Sequence, residues 1–417
     1  MVAPLHARVN GAGPTGTLAA LALAKAGWTV TLVDPLPRDR LIQRRRAYAF
    51  THSSRQLLQQ LGLWAELQDH LIPFRRLHLV DAALERTVDL SPADLAAAVR
   101  GSDAAIGWIG AHTPVMTMLL ERARQDPSIA LNLAETASLQ DGADLVVAAD
   151  GPDSPTRRSL AIGTWGWAYG QSCLTVQVAM RGSAAETAWE LLRPEGPFAV
   201  LPLGKRTFQL VWSASRNRAR RLEGLNDAAF LDALAGVLPD QLQPDALLDE
   251  PRAFPVSLAL ARRLHRGRTV LVGESAHHCH PVGGQGLNLC WRDVEVLHRL
   301  ACRAADGRLA PRRIAAAYAL RRWPDVLFTL ASTDLLVRVF SNRHRPLLAL
   351  RSLAFTVLSR WPFSRRWILG LMTLGLPSAR PQGRRRPPES RHGDQLLPPA
   401  TTLSRDPALP APPDGPR

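Results

Sequence analysis

The sequence predicts an α/β protein: a Rossmann-like dinucleotide-binding domain interleaved with an antiparallel β-sheet domain and followed by C-terminal helices. Three observations predict it. Val9–Gly16 carries G-x-G-x-x-G between an apolar strand and an Ala/Leu-rich helix, and a second strand closes on Asp34. Residues 166–260 hold alternating strands such as CLTVQVAM, FAVLPL and FQLVWS. At Thr269–Val272 a further strand runs to Glu274; the turn Gly283-Gly284-Gln285-Gly286 then opens a helix with apolar spacing at Leu289, Val294, Leu297 and Leu300.

The first unit has a clear division of labour. Gly11 allows the tight turn, Gly13 lets backbone approach a pyrophosphate, and Gly16 lets helix and sheet pack closely. The helix N-terminus favours the phosphate charge. Gly27 ends the helix, and Asp34 is placed to accept hydrogen bonds from a ribose. A helix over SRQLLQQLGLWAEL follows, and the unit extends over residues 1–70. Residues 71–100 read as a strand excursion with LHLVDAALERTVDL as a hairpin, and 101–125 is helical near TMLLERAR. Residues 101–165 and 263–310 return to the cofactor domain, while 71–100 and 166–262 form the substrate sheet. The stretch 129–150 is short, ending in the strand Leu145–Ala149 and Asp150-Gly151, with Ser154 and Arg157 beyond. Residues 311–376 are mostly helical, punctuated by Pro324, Pro346 and Pro362. The Pro/Arg-rich tail 377–417 cannot bury a core and is expected to be disordered.

Composition sets bounds. A chain of 417 residues suffices for two joined domains with substantial cores. The cysteines, at 173, 279, 290 and 302, form no C-x-x-C pair, which fits a reducing compartment without disulfides or zinc. The first strand begins too soon for a cleaved leader, and no long apolar run predicts a membrane span. The net charge of +15 is almost all arginine, lysine occurring only at Lys25 and Lys205. Basic spots at 44–46, 216–221, 262–268, 343–345 and 384–386 read either as solvated surface or as attraction to an anionic membrane. No nucleic-acid module is recognisable, so nucleic acid is discounted as a partner.

The glycine fingerprint, Asp150-Gly151…Ser154…Arg157, and G-E-x-A-H…P-x-x-G-Q-G-x-N over Gly273–Asn288 stand in the order of single-component FAD-dependent aromatic hydroxylases, which this chain resembles. Segments at 45–64, 169–178, 193–203, 210–213 and 332–342 resemble the ubiquinone-biosynthesis hydroxylases more narrowly, over roughly residues 6–376. The resemblance implies bound FAD, with NAD(P)H as transient reductant. It implies that O2 adds at flavin C4a and that the hydroperoxide oxygen passes to the ring of a polyprenylated phenol or quinol, in ubiquinone- or plastoquinone-type biosynthesis. It further implies a cytoplasmic enzyme peripheral to a membrane, in an assembly with other quinone-biosynthesis proteins. Compared with that family, 129–150 is compressed and leaves little room for the usual β-ribbon. Two other readings stay open: a reductase or epoxidase of an isoprenoid or carotenoid lipid, and a non-catalytic FAD-binding accessory protein.

By the same resemblance, Gly11, Gly13, Gly16, Asp34, Arg46 and Asp150 serve the cofactor, and Arg157 supports the fold there. Glu274 is expected to hold the ribityl chain where relatives have Asp. Pro281, Gly284, Gln285, Gly286, Leu287 and Asn288 form the loop at the isoalloxazine edge, with Gly284–Leu287 offering backbone N–H groups. The helix behind them is placed to stabilise negative charge on reduced flavin. His277 reads as part of the loop scaffold rather than a general base. His277, His278, Cys279 and His280 lack a second ligand group elsewhere, so no metal is expected. No catalytic residue is singled out. Cys290 and Trp291 depart from the small residues of the family, and Trp361, Phe363 and Trp367, near Arg365 and Arg366, read as membrane-facing or as plain helix packing.

Overall fold

A computed structural model of the protein describes residues 4–99, 104–136, 142–182 and 185–376. The expected tail disorder and the arginines 384–386 lie outside the described residues, as does the middle of the compressed segment. The α/β architecture is the expected one, built on a parallel sheet and a large, mainly antiparallel sheet.

The first sheet has the strand order His265–Arg266, Thr269–Leu271, Leu145–Ala148, His6–Asn10, Thr29–Asp34, Ile129–Leu133. All neighbours are parallel except the first pair. Parallel strands are covered on both faces, so they read as continuous apolar runs. The helix Pro14–Lys25 is buried from Gly16 to Leu23, because it is packed against helices His112–Gln125 and Gln285–Ala305 as well as the sheet. Pro14 suits its first turn, and Gly27 (φ 87°) ends it. At the compressed segment, Ile129–Leu133 simply adds the edge strand, with no ribbon among the described residues.

The second sheet runs His277–His278, Arg252–Ala261, Thr164–Arg181, Thr207–Ser215, Phe198–Pro202, Thr187–Leu192, Arg76–Asp81, Arg86–Leu90, with Gln243–Leu247 beside Thr164–Arg181. The hairpin 76–90 joins it through the one parallel pairing, Arg76–Asp81 on Thr187–Leu192. One face packs Trp189, Leu191, Phe198 and Trp212 against helix Asp227–Ala235. The other turns Leu77, Leu79, Ala188 and Leu192 toward helices Arg345–Arg360 and Pro362–Leu374. A side chain's face follows from the two-residue period of the strand.

Pro346 and Pro362 open helices, but Pro324 does not punctuate; it lies inside the unbroken helix Ile314–Phe340. Proline removes one helical hydrogen bond. Here Arg322 and Asp325, on either side, are locked in a buried ion network that holds the helix across it.

Candidate active site

Two cavities meet where the sheets meet. One, about 670 Å³, runs from Gly11, Gly13 and Asp34 past Asp150 to Glu274. The other, about 550 Å³, is largely apolar and extends from Glu274 and Gly284 to Leu358 and Met372. Arg46, Tyr48, Glu274, Gly286, Leu287 and Cys290 line both.

In the first cavity the glycines divide by what surrounds them. A Cβ at Gly11 would lie 2.4 Å from the Ala149 carbonyl oxygen, and one at Gly16 would lie 1.8 Å from that of Gly11. Gly11 also has φ +100°. Gly13 instead faces open space. It heads the Pro14–Lys25 helix, which has no side-chain cap and no acidic residue in its first turn. Asp34 is buried, with Oδ2 accepting the Ala12 N–H at 2.7 Å and Oδ1 the Leu36 N–H at 2.8 Å. Each oxygen retains a lone pair. Asp150 Oδ2 accepts the Thr156 N–H at 2.9 Å, while its Oδ1 is buried without a partner. Arg157 ties the Ser275 and Pro152 carbonyls together.

At the shared wall, Glu274 is exposed to the cleft, with His278 Nδ1 3.6 Å from its Oε1. That ring, aided by Arg46, holds the Glu274 carboxyl below its usual range against the effect of burial. Arg46 lies over the Phe254 ring. Gly283 and Gly284 have φ of +66° and +62°, the left-handed region, and turn the chain into the Gln285–Ala305 helix, again uncapped by any side chain.

Two loop expectations need correction. The Gly284 N–H donates to the Pro281 carbonyl at 3.0 Å, so the turn is closed there. Asn288 is fully buried and spent on protein: Nδ2 donates to Ala49 and Gly284 carbonyls, and Oδ1 accepts from Thr51 and Ser54. It pins the helix to the neighbouring strand instead of reaching the cleft. Gln285 does similar work, donating to the Gly283 and Met372 carbonyls.

The residues 6–142 and 140–323 match the model of an FAD binding domain. The chain is 32% identical over 398 residues to the Synechocystis protein slr1300, which covers 90% of this chain and 94% of that one. It is 32% identical over 393 residues to the ubiquinone hydroxylase UbiL of Rhodospirillum rubrum, across 88% of this chain and 90% of that one. The chain belongs to the ubiquinone-biosynthesis hydroxylase family of FAD-dependent monooxygenases. The fold of p-nitrophenol 4-monooxygenase PnpA from Pseudomonas putida DLL-E4 is similar, with TM-score 0.74 over 92% of this chain and 99% of that one, at 19% identity.

FAD is therefore this monooxygenase's cofactor, and the first cavity fits it. The open side of Gly13 at an uncapped helix N-terminus suits a pyrophosphate. The orphaned Asp150 Oδ1 needs a donor that a polyhydroxylated ligand has.

Three groups were not singled out in the sequence. Tyr48 Oη lies 2.7 Å from His112 Nδ1, and His112 Nε2 lies 2.7 Å from the Leu41 carbonyl. A carbonyl only accepts, so Nε2 carries the proton and the Tyr48 hydroxyl donates to Nδ1. Burial pushes that hydroxyl up to about 12, with Arg46 opposing. Asp293, sixteen residues after His277, is the centre of the buried ion network. Glu190 stands in the apolar cavity. Only Glu190 left a visible signal: an acid inside the strand TAWELL.

The histidines diverge. His277 turns to Asp293, His278 to Glu274, and His280 is buried, accepting the Val282 N–H. Among the described residues, no three His, Cys, Asp or Glu gather as metal ligands. Burial pushes the Cys279 thiol up to about 12 and Cys290 well above its ordinary value, so both are neutral cavity lining.

Proposed function

We propose that this monooxygenase hydroxylates the ring of a polyprenylated phenol or quinol precursor in ubiquinone- or plastoquinone-type biosynthesis, using NAD(P)H and O2. The apolar cavity carries this reading: at about 550 Å³ it is lined by residues of the glycine turn, the sheet and the C-terminal helices, most of them apolar, as a ring with an isoprenoid tail requires. The names of its relatives support the same class, the Escherichia coli relative being a 3-demethoxyubiquinol 3-hydroxylase.

Bound FAD would supply the redox chemistry, taking an electron pair from NAD(P)H and activating O2. The chain's residues bind and orient. Gly11, Gly13, Gly16 and Asp34 hold the adenosine and pyrophosphate half, Asp150 and Glu274 the polyol, and Arg46 the flavin region. Gln285, Gly286 and Leu287 present the helix N-terminus to the ring edge, where its dipole favours anionic charge. The apolar walls exclude water from the reacting ring.

The lipid character of the substrate suggests a membrane-peripheral enzyme. Helices Arg345–Arg360 and Pro362–Leu374 line the cavity inside with Phe355, Leu358 and Leu369. Outside they present Leu353, Trp361, Phe363 and Trp367, with exposed Arg343, Arg345, Arg360 and Arg366 around them. Arg365 is excluded from that patch because it is tied to Asp94 at 2.9 Å. No helix among the described residues is long and apolar enough to cross a membrane.

The test is direct. The holoenzyme should be yellow, bleached by NAD(P)H and recoloured by air, and a deletion strain should accumulate an under-hydroxylated quinone precursor. An intact quinone pool with an accumulated carotenoid precursor would overturn this reading.

A further inference from the structure

The strands 76–81, 86–90, 187–192, 198–202 and 207–215 floor the apolar cavity with hydrophobic side chains, except at Glu190. Its cross-strand neighbours are Leu79 and Ala199, and Ala199 is paired in turn with Val211; all three line the same cavity. Among the described residues no cation pairs with this carboxylate. The Gly283 backbone N–H, in the glycine turn at the flavin end, lies toward this carboxylate and opposes the effect of burial on it. A carboxylate enclosed in apolar surroundings is costly without a partner. Glu190 is thus a half-buried acid with no cation beside it among the described residues, lining the space where a ring would sit.

We propose that Glu190 accepts the ring hydroxyl of the phenolic substrate and takes its proton as the ring receives oxygen. This rests on the reading that the cavity takes a phenol or quinol. The ring O–H bond breaks, its proton passes to Glu190, and the electron pair left on oxygen raises the nucleophilicity of the ring carbon ortho or para to it. NAD(P)H and O2 supply the electron pair and the oxygen, which arrives as hydroxyl; the second oxygen atom leaves as water. The ring carbon then loses its hydrogen as a proton, and the proton on Glu190 returns to the ring oxygen. A positioned base of this kind contributes about 10²–10⁴-fold.

The neighbouring charges leave Glu190 free for this. Arg46, Glu274 and His278 line the cavity at its wall toward the cofactor cavity and attend to one another. His277 is turned to Asp293. Tyr48, Cys279 and Cys290 in that wall, and Cys173 in the sheet near Glu190, are held neutral by burial. The cavity-lining residues of the C-terminal helices are all uncharged. Burial pushes the Glu190 carboxyl up to about 7, with the Gly283 N–H opposing. The base is therefore about half ionised at neutral pH, and turnover should rise through that region.

The experiment uses holoenzyme, an alkyl-tailed nitrophenol as optical probe, and Glu190→Gln with Glu190→Asp. Wild type should bind the probe with a visible phenolate band at neutral pH. E190Q should retain its flavin, show at least about tenfold less bound phenolate, and lose about 10²–10⁴-fold in kcat with the rise near pH 7 abolished. E190D should recover part of both. An unchanged bound spectrum and pH profile in E190Q would overturn the assignment while leaving the phenol cavity intact. A wild type that binds no alkylphenol would overturn the cavity reading, and this inference with it.

Discussion

His277 Nε2 lies 2.8 Å from Asp293 Oδ2, and both side chains are buried. The same carboxylate accepts the Gly273 N–H at 2.8 Å and the Arg322 Nε–H at 2.6 Å. Arg322 also meets Asp325, which in turn holds Arg292 and the Leu376 N–H. One chain of charges thus joins the strand end at Gly273, the long helix behind the flavin turn, and the C-terminal helices. His277, read from the sequence as loop scaffold, is an anchor in this network.

Asp293→Ala should therefore destabilise the fold by about 3–5 kcal/mol, because buried Arg322 loses one of its two carboxylates and His277 and the Gly273 N–H lose their acceptor. Urea unfolding of the purified protein measures this. Burial alone would raise the Asp293 carboxyl, but His277 and Arg322 outweigh it and hold it at about 2. A depressed carboxyl stabilises fully above its unfolded value near about 4. That contribution should be lost as pH falls from there through about 2, and D293N should flatten this part of the acid-unfolding curve.

The three fingerprint glycines should separate. Gly16→Ala places a methyl 1.8 Å from a backbone oxygen, so fold and FAD should suffer together. Gly13→Ala meets no protein atom, so the apoprotein should melt within a few degrees of wild type while flavin content drops. Flavin absorbance per protein, beside the apoprotein melting temperature, distinguishes the two. Equal flavin retention in both variants would count against a pyrophosphate at Gly13.

At Glu274, replacement by Ala should weaken FAD binding by about 10–100-fold, the worth of a hydrogen bond to a charged group. Glu274→Asp should lose less. Equilibrium dialysis of FAD with the apoprotein reads this without turnover. An unaltered affinity in E274A would remove the ribityl assignment.

For the outer face of the last two helices, the measurement is flotation with anionic liposomes. Wild type should float at low salt and release as salt screens arginines that contribute about 1 kcal/mol each near headgroups. A Trp361→Ser, Phe363→Ser, Trp367→Ser protein should stay at the bottom while keeping its flavin. Equal flotation of both proteins would place the membrane contact elsewhere.

Local chemistry was enough to determine the strand–turn–helix unit that carries the glycine fingerprint. Gly11, Gly13 and Gly16 act within one turn, and Asp34 closes the adjacent strand, so spacing along the chain maps onto spacing in the fold. The strand period likewise made the sheet legible. Tertiary structure decided the rest. Asn288 had the motif's expected role until its amide was seen saturated by Ala49, Gly284, Thr51 and Ser54. Pro324 was a helix breaker in sequence and is carried through by the ion network around it. Tyr48 found His112, 64 residues away, and Glu190 came to face the Gly283 turn, because packing of distant segments sets which polar groups are paired. Pairing and burial are sums over the whole fold, and a single stretch of chain does not contain them.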